Sequence, residues 1–291
     1  MQNILLSFGT VLDKAFYSFD QAVFAFFGSL QNDFFSVLVN FFTNFGDELF
    51  IIPVLVLSIV LCFFKKTRKY GFSILFAIII GTLITNLICK PYVGRIRPYN
   101  TLQFDSEYMK WYTFAGKLNE SDASFPSGHT TGAFEIATAL FICFMKSNKK
   151  KIAWIFPVIA LCTAGSRIYL MVHYPSDVVG GIIVGVFSGV IGCLLASLVM
   201  KIKPLDKIDA EKLFKKGINP KAGKSIIAAC VAVIFCIGYI PSLTPEPVQR
   251  CAYTAQTEKG TEVCYNEGQE DRVINGKEYC KQHYKELTAN K

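Results

Sequence analysis

The sequence predicts an all-α, polytopic membrane helix bundle, and three observations predict it. About half of the 291 residues are hydrophobic (52%), including 26 phenylalanines. They gather in long runs near residues 51–64, 71–89, 131–145, 152–165, 178–200 and 225–240. With flanking residues, each run spans a bilayer or nearly so. The runs are continuous rather than alternating, which excludes the strands of a membrane barrel. Third, basic residues cluster between runs: Lys65, Lys66, Arg68 and Lys69, then Lys146, Lys149, Lys150 and Lys151, then a stretch from Lys201 to Lys224. Two crossings separate each cluster from the next, so all three share one side, and such clusters mark cytoplasmic loops.

In order, residues 1–19 place Ile4, Leu5, Phe8, Val11, Leu12 and Phe16 on one helical face, with Asn3, Asp13 and Lys14 elsewhere. This predicts an amphipathic helix in the membrane interface. No basic n-region or small-residue cleavage site opens the chain, so no cleavable signal peptide is expected. A membrane domain is expected over 20–200. Its first part, 20–45, is aromatic-rich but interrupted by Asp20, Gln21, Asn32 and Asp33, and reads as one crossing or as two interfacial helices, with a crossing favoured. Runs 50–64 and 71–89 then form an inward and an outward crossing. The outer loop 90–127 carries Tyr108, Trp111, Tyr112 and Phe114, suited to the interface or to a lipid tail. Three further crossings lie at 128–145, 152–165 and 178–200, giving about six core helices. Residues 201–224 read as a basic cytoplasmic linker, 225–240 as an additional membrane helix, and 241–291 as a Cys/His-containing tail outside. The tail has 7 Lys/Arg against 8 Asp/Glu, without the basic excess of the inner loops. Seven of the ten cysteines lie in apolar runs and read as small buried hydrophobes.

This topology puts three polar stretches on one face. They are Lys90-Pro91-Tyr92-Val93-Gly94-Arg95-Ile96-Arg97-Pro98, then Pro126-Ser127-Gly128-His129, then Ser166-Arg167 through His173 to Asp177. Two of the chain's three histidines are among them. Charged groups near lipid are costly and need a reason. Lys90, Arg97 and Arg167 suit a phosphate: guanidinium forks bind its oxygens in pairs and lysine adds a point charge. Pro126-Ser127-Gly128 opens a helix whose free N–H groups attract an anion, and Gly128 lets the backbone approach. Asp177, four residues after His173, is close enough to orient its imidazole as a nucleophile. Pro175 suits a first helical turn and Tyr174 is biased away from helix, so the pair straddles a helix start. His129 is placed to protonate the leaving oxygen and later activate water. Singly, His173 reads as a core histidine, Asp177 as a cap and Lys90–Arg97 as snorkelling residues; their joint occurrence on one face favours chemistry.

These spacings, Lys-x6-Arg-Pro, Pro-Ser-Gly-His and Ser-Arg-x5-His-x3-Asp, resemble those of the type-2 phosphatidic acid phosphatase family, also called lipid phosphate phosphatases. The resemblance covers about residues 30–200. It implies a bundle of about six membrane helices and catalysis without metal or other cofactor. It implies a phosphohistidine at His173, with Asp177 as its partner and His129 as the acid. Lys90, Arg97, Ser127, Gly128 and Arg167 take the phosphate. The implied partners are the membrane and a phosphorylated lipid, not nucleic acid. Bacterial members often act on undecaprenyl diphosphate, phosphatidylglycerophosphate or phosphatidic acid. A site on the outer face of the plasma membrane fits the first, in cell-wall carrier recycling. A phosphotransferase and a non-enzymatic lipid-binding or transport protein are the alternatives. Both histidines and Asp177 argue against the last, since binding needs only the cations. Loop 99–125 is expected to set specificity.

The tail stands outside this pattern. Cys251, Cys264, Cys280 and His283 fit a zinc site, with Cys280-x-x-His283 at knuckle spacing, or a disulfide with one spare thiol.

Overall fold

The computed structural model describes residues 2–202 except 121, 148 and 149. Beyond these it describes 209, 210, 212, 253–257, 260–263, 269–275, 277–279, 284, 285, 287 and 288. The expected membrane helix at 225–240 lies outside the described residues, as do Cys251, Cys264, Cys280 and His283.

Among the described residues, eleven helices follow one another: α1 (Gln2–Ser29), α2 (Asp33–Thr43), α3 (Glu48–Cys62), α4 (Arg68–Thr82), α5 (Lys90–Val93), α6 (Pro98–Thr101), α7 (Ser106–Phe114), α8 (Gly128–Met145), α9 (Lys150–Ala153), α10 (Ile155–Tyr169) and α11 (Pro175–Val199). A π-helical stretch, Leu83–Cys89, carries α4 into α5. In the described tail, strands β1 (Thr254–Thr257) and β2 (Gly260–Val263) pair antiparallel, as do β3 (Gln269–Ile274) and β4 (Lys277–Tyr279). These hairpins add to the helical architecture expected from the sequence.

Among the described residues, three segments are long and apolar enough to cross a membrane: Arg68–Thr101, Lys150–Tyr169 and Pro175–Val199. The 15-residue α3 is apolar but shorter. Helix α8 carries His129 and Glu135 among its apolar residues and packs against α4, α10 and α11. The α8–α11 seam is built from glycines. A Cβ on Gly185 would lie 2.6 Å from Phe134 Cβ and 2.7 Å from the Thr131 carbonyl, and Gly181 and Gly189 are as close to α8. Small residues at this four-residue spacing let membrane helices approach backbone to backbone.

The N-terminal region differs from the sequence reading. Helix α1 does not stop at residue 19 but continues through Asp20 to Ser29. Residues 20–45 do not form one straight crossing: the chain bends by 120° between Phe8–Ser29 and Asp33–Gly46. The polar residues at the break explain it. The Gln31 side-chain amide donates to the carbonyls of Trp111 (3.0 Å) and Tyr169 (3.1 Å). Asn32 caps α2 by accepting from the Phe35 N–H at 3.0 Å. Helix α1 also turns its polar side inward. Gly9, Asp13, Asp20, Phe24 and Gly28 face the protein, while Phe8 (57% exposed) and Val11 (59%) face outward.

Loop 90–127 carries three short helices, α5, α6 and α7. Tyr108 and Tyr112, expected at the interface, are fully buried and stack beside Tyr99. Their hydroxyls explain the difference: Tyr108 donates to the Met171 carbonyl and Tyr112 to the Leu118 carbonyl at 2.6 Å.

Candidate active site

The three polar stretches converge at the end of the bundle opposite the Lys65–Lys69 and Lys146–Lys151 loops. Each owes its place to a helix boundary. Helix α5 ends at Gly94, whose φ of 57° is the left-handed conformation glycine favours at a helix end. The chain then runs non-helically through Arg95 and Arg97 to α6. Ser127 is the N-cap of α8, so Gly128 and His129 open its first turn as expected. Helix α10 ends at Tyr169, Met171 adopts a φ of 57°, and α11 starts at Pro175 with Tyr174 extended. His173 thus precedes the helix and Asp177 lies inside it.

His173 is 1% exposed. Arg97 Nη1 donates to its Nε2 at 2.9 Å and to the Val172 carbonyl at 3.0 Å. Accepting from a guanidinium identifies Nε2 as the unprotonated nitrogen. Asp177 Oδ2 lies 3.7 Å from Nδ1 on the other side, within ion-pair reach but beyond a hydrogen bond. Burial, then the charge of Arg97, pulls the His173 pKa down to about 4. The imidazole is therefore neutral near pH 7, as a nucleophile must be. Asp177 Oδ2 also accepts from the Tyr174 N–H at 3.0 Å, completing a capping box on α11. The capping reading of Asp177 is met, and the same carboxylate faces His173 Nδ1 without a direct hydrogen bond.

The cations hold two carboxylates that the sequence reading did not single out. Glu120 bridges Arg167, through Oε1, and Arg97, through Oε2 at 2.5 Å. Its Oε2 lies 3.7 Å from His173 Nε2. Asp122 bonds Lys90 and Arg97. Burial alone would raise the Glu120 pKa, but Arg167 first, then His129, His173 and Arg97, hold it well below the usual carboxylate range. Asp122 is likewise lowered: burial opposes, and Lys90 and Arg97 prevail. Both residues lie on an irregular loop, where no periodicity marks them.

Arg167 is 2% exposed and donates to Thr43 Oγ1 at 2.7 Å. A Cβ on Gly128 would lie 3.6 Å from Lys90 Nζ, so the α8 N-terminus faces the lysine. The Ser127 hydroxyl is turned within α8, accepting from Thr130 Oγ1 at 3.0 Å, and among the described residues it meets none of the cations. His129 Nε2 lies 3.5 Å from Asp47 Oδ2, a residue the sequence reading missed. Asp47 also caps α3 through the Leu49 N–H at 2.8 Å. A hydrogen bond from His129 lowers the Asp47 pKa. Arg95, present in the first stretch but unassigned, is buried against Asp13, Asp20 and Asp177.

Comparison with known proteins identifies the family. A profile of the PAP2 superfamily matches residues 70–202. The chain is 32% identical over 150 residues to phosphatidylglycerophosphatase B of Bacillus subtilis, covering 49% of this chain and 66% of that one. It is 30% identical over 149 residues to undecaprenyl-diphosphatase of Sulfolobus acidocaldarius, covering 51% and 64%. The chain thus spans less than two thirds of either relative. The crystal structure of a transmembrane PAP2 type phosphatidylglycerolphosphate phosphatase from Bacillus subtilis superposes with a TM-score of 0.54 at 24% identity, over 68% of this chain and 94% of that one. That likeness establishes the fold. The segment matched by the profile carries all three polar stretches, and the chain belongs to the PAP2 superfamily.

Proposed function

We propose that this protein is an integral membrane phosphatase that hydrolyses a lipid phosphate or diphosphate through a phosphohistidine at His173. One observation carries the reading: Arg97 meets the unprotonated His173 Nε2 at 2.9 Å inside a cluster that also holds Lys90 and Arg167. Nε2 attacks phosphorus, and the phosphorus–oxygen bond to the lipid breaks. His129 gives the leaving oxygen a proton. Water, deprotonated by His129, then attacks the phosphohistidine and releases phosphate. Asp177 stabilises the positive charge that develops on His173. The cations stabilise the transferring phosphoryl group, a role that elsewhere falls to metal ions, so activity is expected to survive EDTA.

The substrate proposed is undecaprenyl diphosphate. The site lies opposite the basic loops, and the positive-inside rule puts that end outside the cell. A carrier diphosphate left on the outer leaflet is a substrate for such a site. One relative is named undecaprenyl-diphosphatase and the other phosphatidylglycerophosphatase B, so both lipids belong in the test. Purified protein is assayed for phosphate release from undecaprenyl diphosphate, phosphatidylglycerophosphate and phosphatidic acid. The expected order places the diphosphate first; a preference for either monoester would overturn the substrate assignment.

A further inference from the structure

We propose that Arg95 is a positioning residue for phosphoryl transfer, and that helix α1, outside the segment matched to the family, holds it in place. The proposal rests on the reading of His173 as nucleophile. Arg95 and Arg97 lie two residues apart on a non-helical segment, with Ile96 between them 48% exposed. The two arginines therefore turn inward together, and they bracket one chain of groups. Arg97 meets His173 Nε2, His173 Nδ1 faces Asp177 Oδ2, and Arg95 Nη1 donates to Asp177 Oδ1 at 2.6 Å.

The Asp177 carboxylate is pinned on both oxygens. Oδ1 takes Arg95. Oδ2 takes Ser124 Oγ at 2.5 Å and the Tyr174 N–H at 3.0 Å. A carboxylate held this way presents a fixed edge to the imidazole, and supporting groups of this kind decide whether a reactive side chain is in register.

Arg95 is itself 1% exposed, and a buried guanidinium needs partners. Helix α1 supplies them. Arg95 Nε donates to Asp13 at 2.8 Å and Nη2 to Asp20 at 3.0 Å, while Nη1 also reaches Ser176 Oγ at 2.7 Å. The guanidinium lies over the Tyr174 ring, 3.8 Å from its centroid. Asp20 additionally accepts from the Ser176 N–H and hydroxyl, each at 2.8 Å, so it binds a free N–H at the start of α11. Four acceptors in three directions suit a planar fork; a lysine has one point of charge and cannot span them. Gly9 fits the same contact, since a Cβ there would lie 3.1 Å from Arg95 Cα.

The test compares wild type with Arg95→Lys and Asp20→Asn in detergent, measuring kcat, KM, the inhibition constant of inorganic phosphate, and thermal unfolding. Expected for Arg95→Lys is a fall in kcat of about 10- to 100-fold, the scale on which losing a supporting partner is felt. KM and phosphate inhibition stay near wild type, because Arg95 does not line the cation cluster. Asp20→Asn, milder because Arg95 remains, shifts kcat in the same direction by less. Matched kcat in both variants would refute the positioning role alone. So would a loss shared by kcat and phosphate affinity, which would make Arg95 a phosphate ligand, or a loss that tracks the unfolded fraction. Absence of phosphate release by the wild type would instead refute the phosphatase reading on which this one rests.

Discussion

Arg97 donates through Nη1 to His173 Nε2 at 2.9 Å, so one guanidinium touches the nitrogen proposed to react and links it to the cations proposed to hold phosphate. Replacing it with lysine keeps the charge and loses the fork. Arg97→Lys is expected to lower kcat for phosphate release by about 100-fold or more, the range seen when one aligned donor is removed from a reacting centre. Wild-type kcat in that variant would show that charge alone suffices.

Glu120 occupies Arg97 and Arg167 at once, so under the proposed function it would compete with phosphate for them. Glu120→Gln removes that competing charge. Inorganic phosphate is then expected to inhibit at about fivefold lower concentration, equivalent to ~1 kcal/mol. An unchanged or weakened inhibition would mean that Glu120 supports the cations rather than opposing the ligand.

The depressed His173 pKa has a stability consequence. The native imidazole titrates at about 4, the unfolded one near 6.5. Between these values the unfolded chain binds more protons, so stability rises with pH across that window and is lost as pH falls through it. The lowered Glu120 pKa acts in the same direction, its contribution being lost as pH falls below the usual carboxylate range. The thermal midpoint in detergent is expected to climb from pH 4 to pH 6.5, and His173→Gln to flatten part of that climb. An unaltered slope in the variant would contradict the assignment.

Gly46 packs directly on the α8 start: a Cβ there would lie 2.3 Å from the His129 carbonyl oxygen. Gly46→Ala must push apart the turn before α3 and the residue carrying the proposed acid. A stability loss of about 1–3 kcal/mol is expected from such overpacking, read by thermal unfolding. Unchanged stability would show that the turn yields freely.

The shared side of the basic loops predicts accessibility. Glu107 and Lys66 are both exposed and lie toward opposite ends of the bundle. Glu107→Cys is expected to react with an impermeant maleimide on intact cells, and Lys66→Cys after lysis. The reverse pattern would put the site on the inner face.

Most of the architecture was legible because membrane helices announce themselves as apolar runs, and α3, α4, α8, α10 and α11 lie where those runs lie. The eight site residues proposed from the sequence lie at or within a turn of helix boundaries, Arg167 in the last turn of α10 and the others beside boundaries that proline, glycine or serine marks. What was not legible depends on distance. Asp20 reads as an interruption of an aromatic stretch, yet its partners are Arg95 and Ser176, 75 and 156 residues away. Glu120 and Asp122 look like ordinary loop acids until the fold places Arg167 and Lys90 beside them. On helix α1, Phe8, Val11 and Phe16 face outward, but nothing local reveals that Asp13 and Asp20 on its other side dock beside the site.

The central claim is the covalent phosphate on His173. Protein mixed with phosphate-labelled lipid and quenched in alkali is digested and mapped by mass spectrometry. The account predicts label on the His173 peptide, more of it in His129→Ala, and none in His173→Ala, which also fails to turn over. Phosphate release by His173→Ala at the wild-type rate would contradict it.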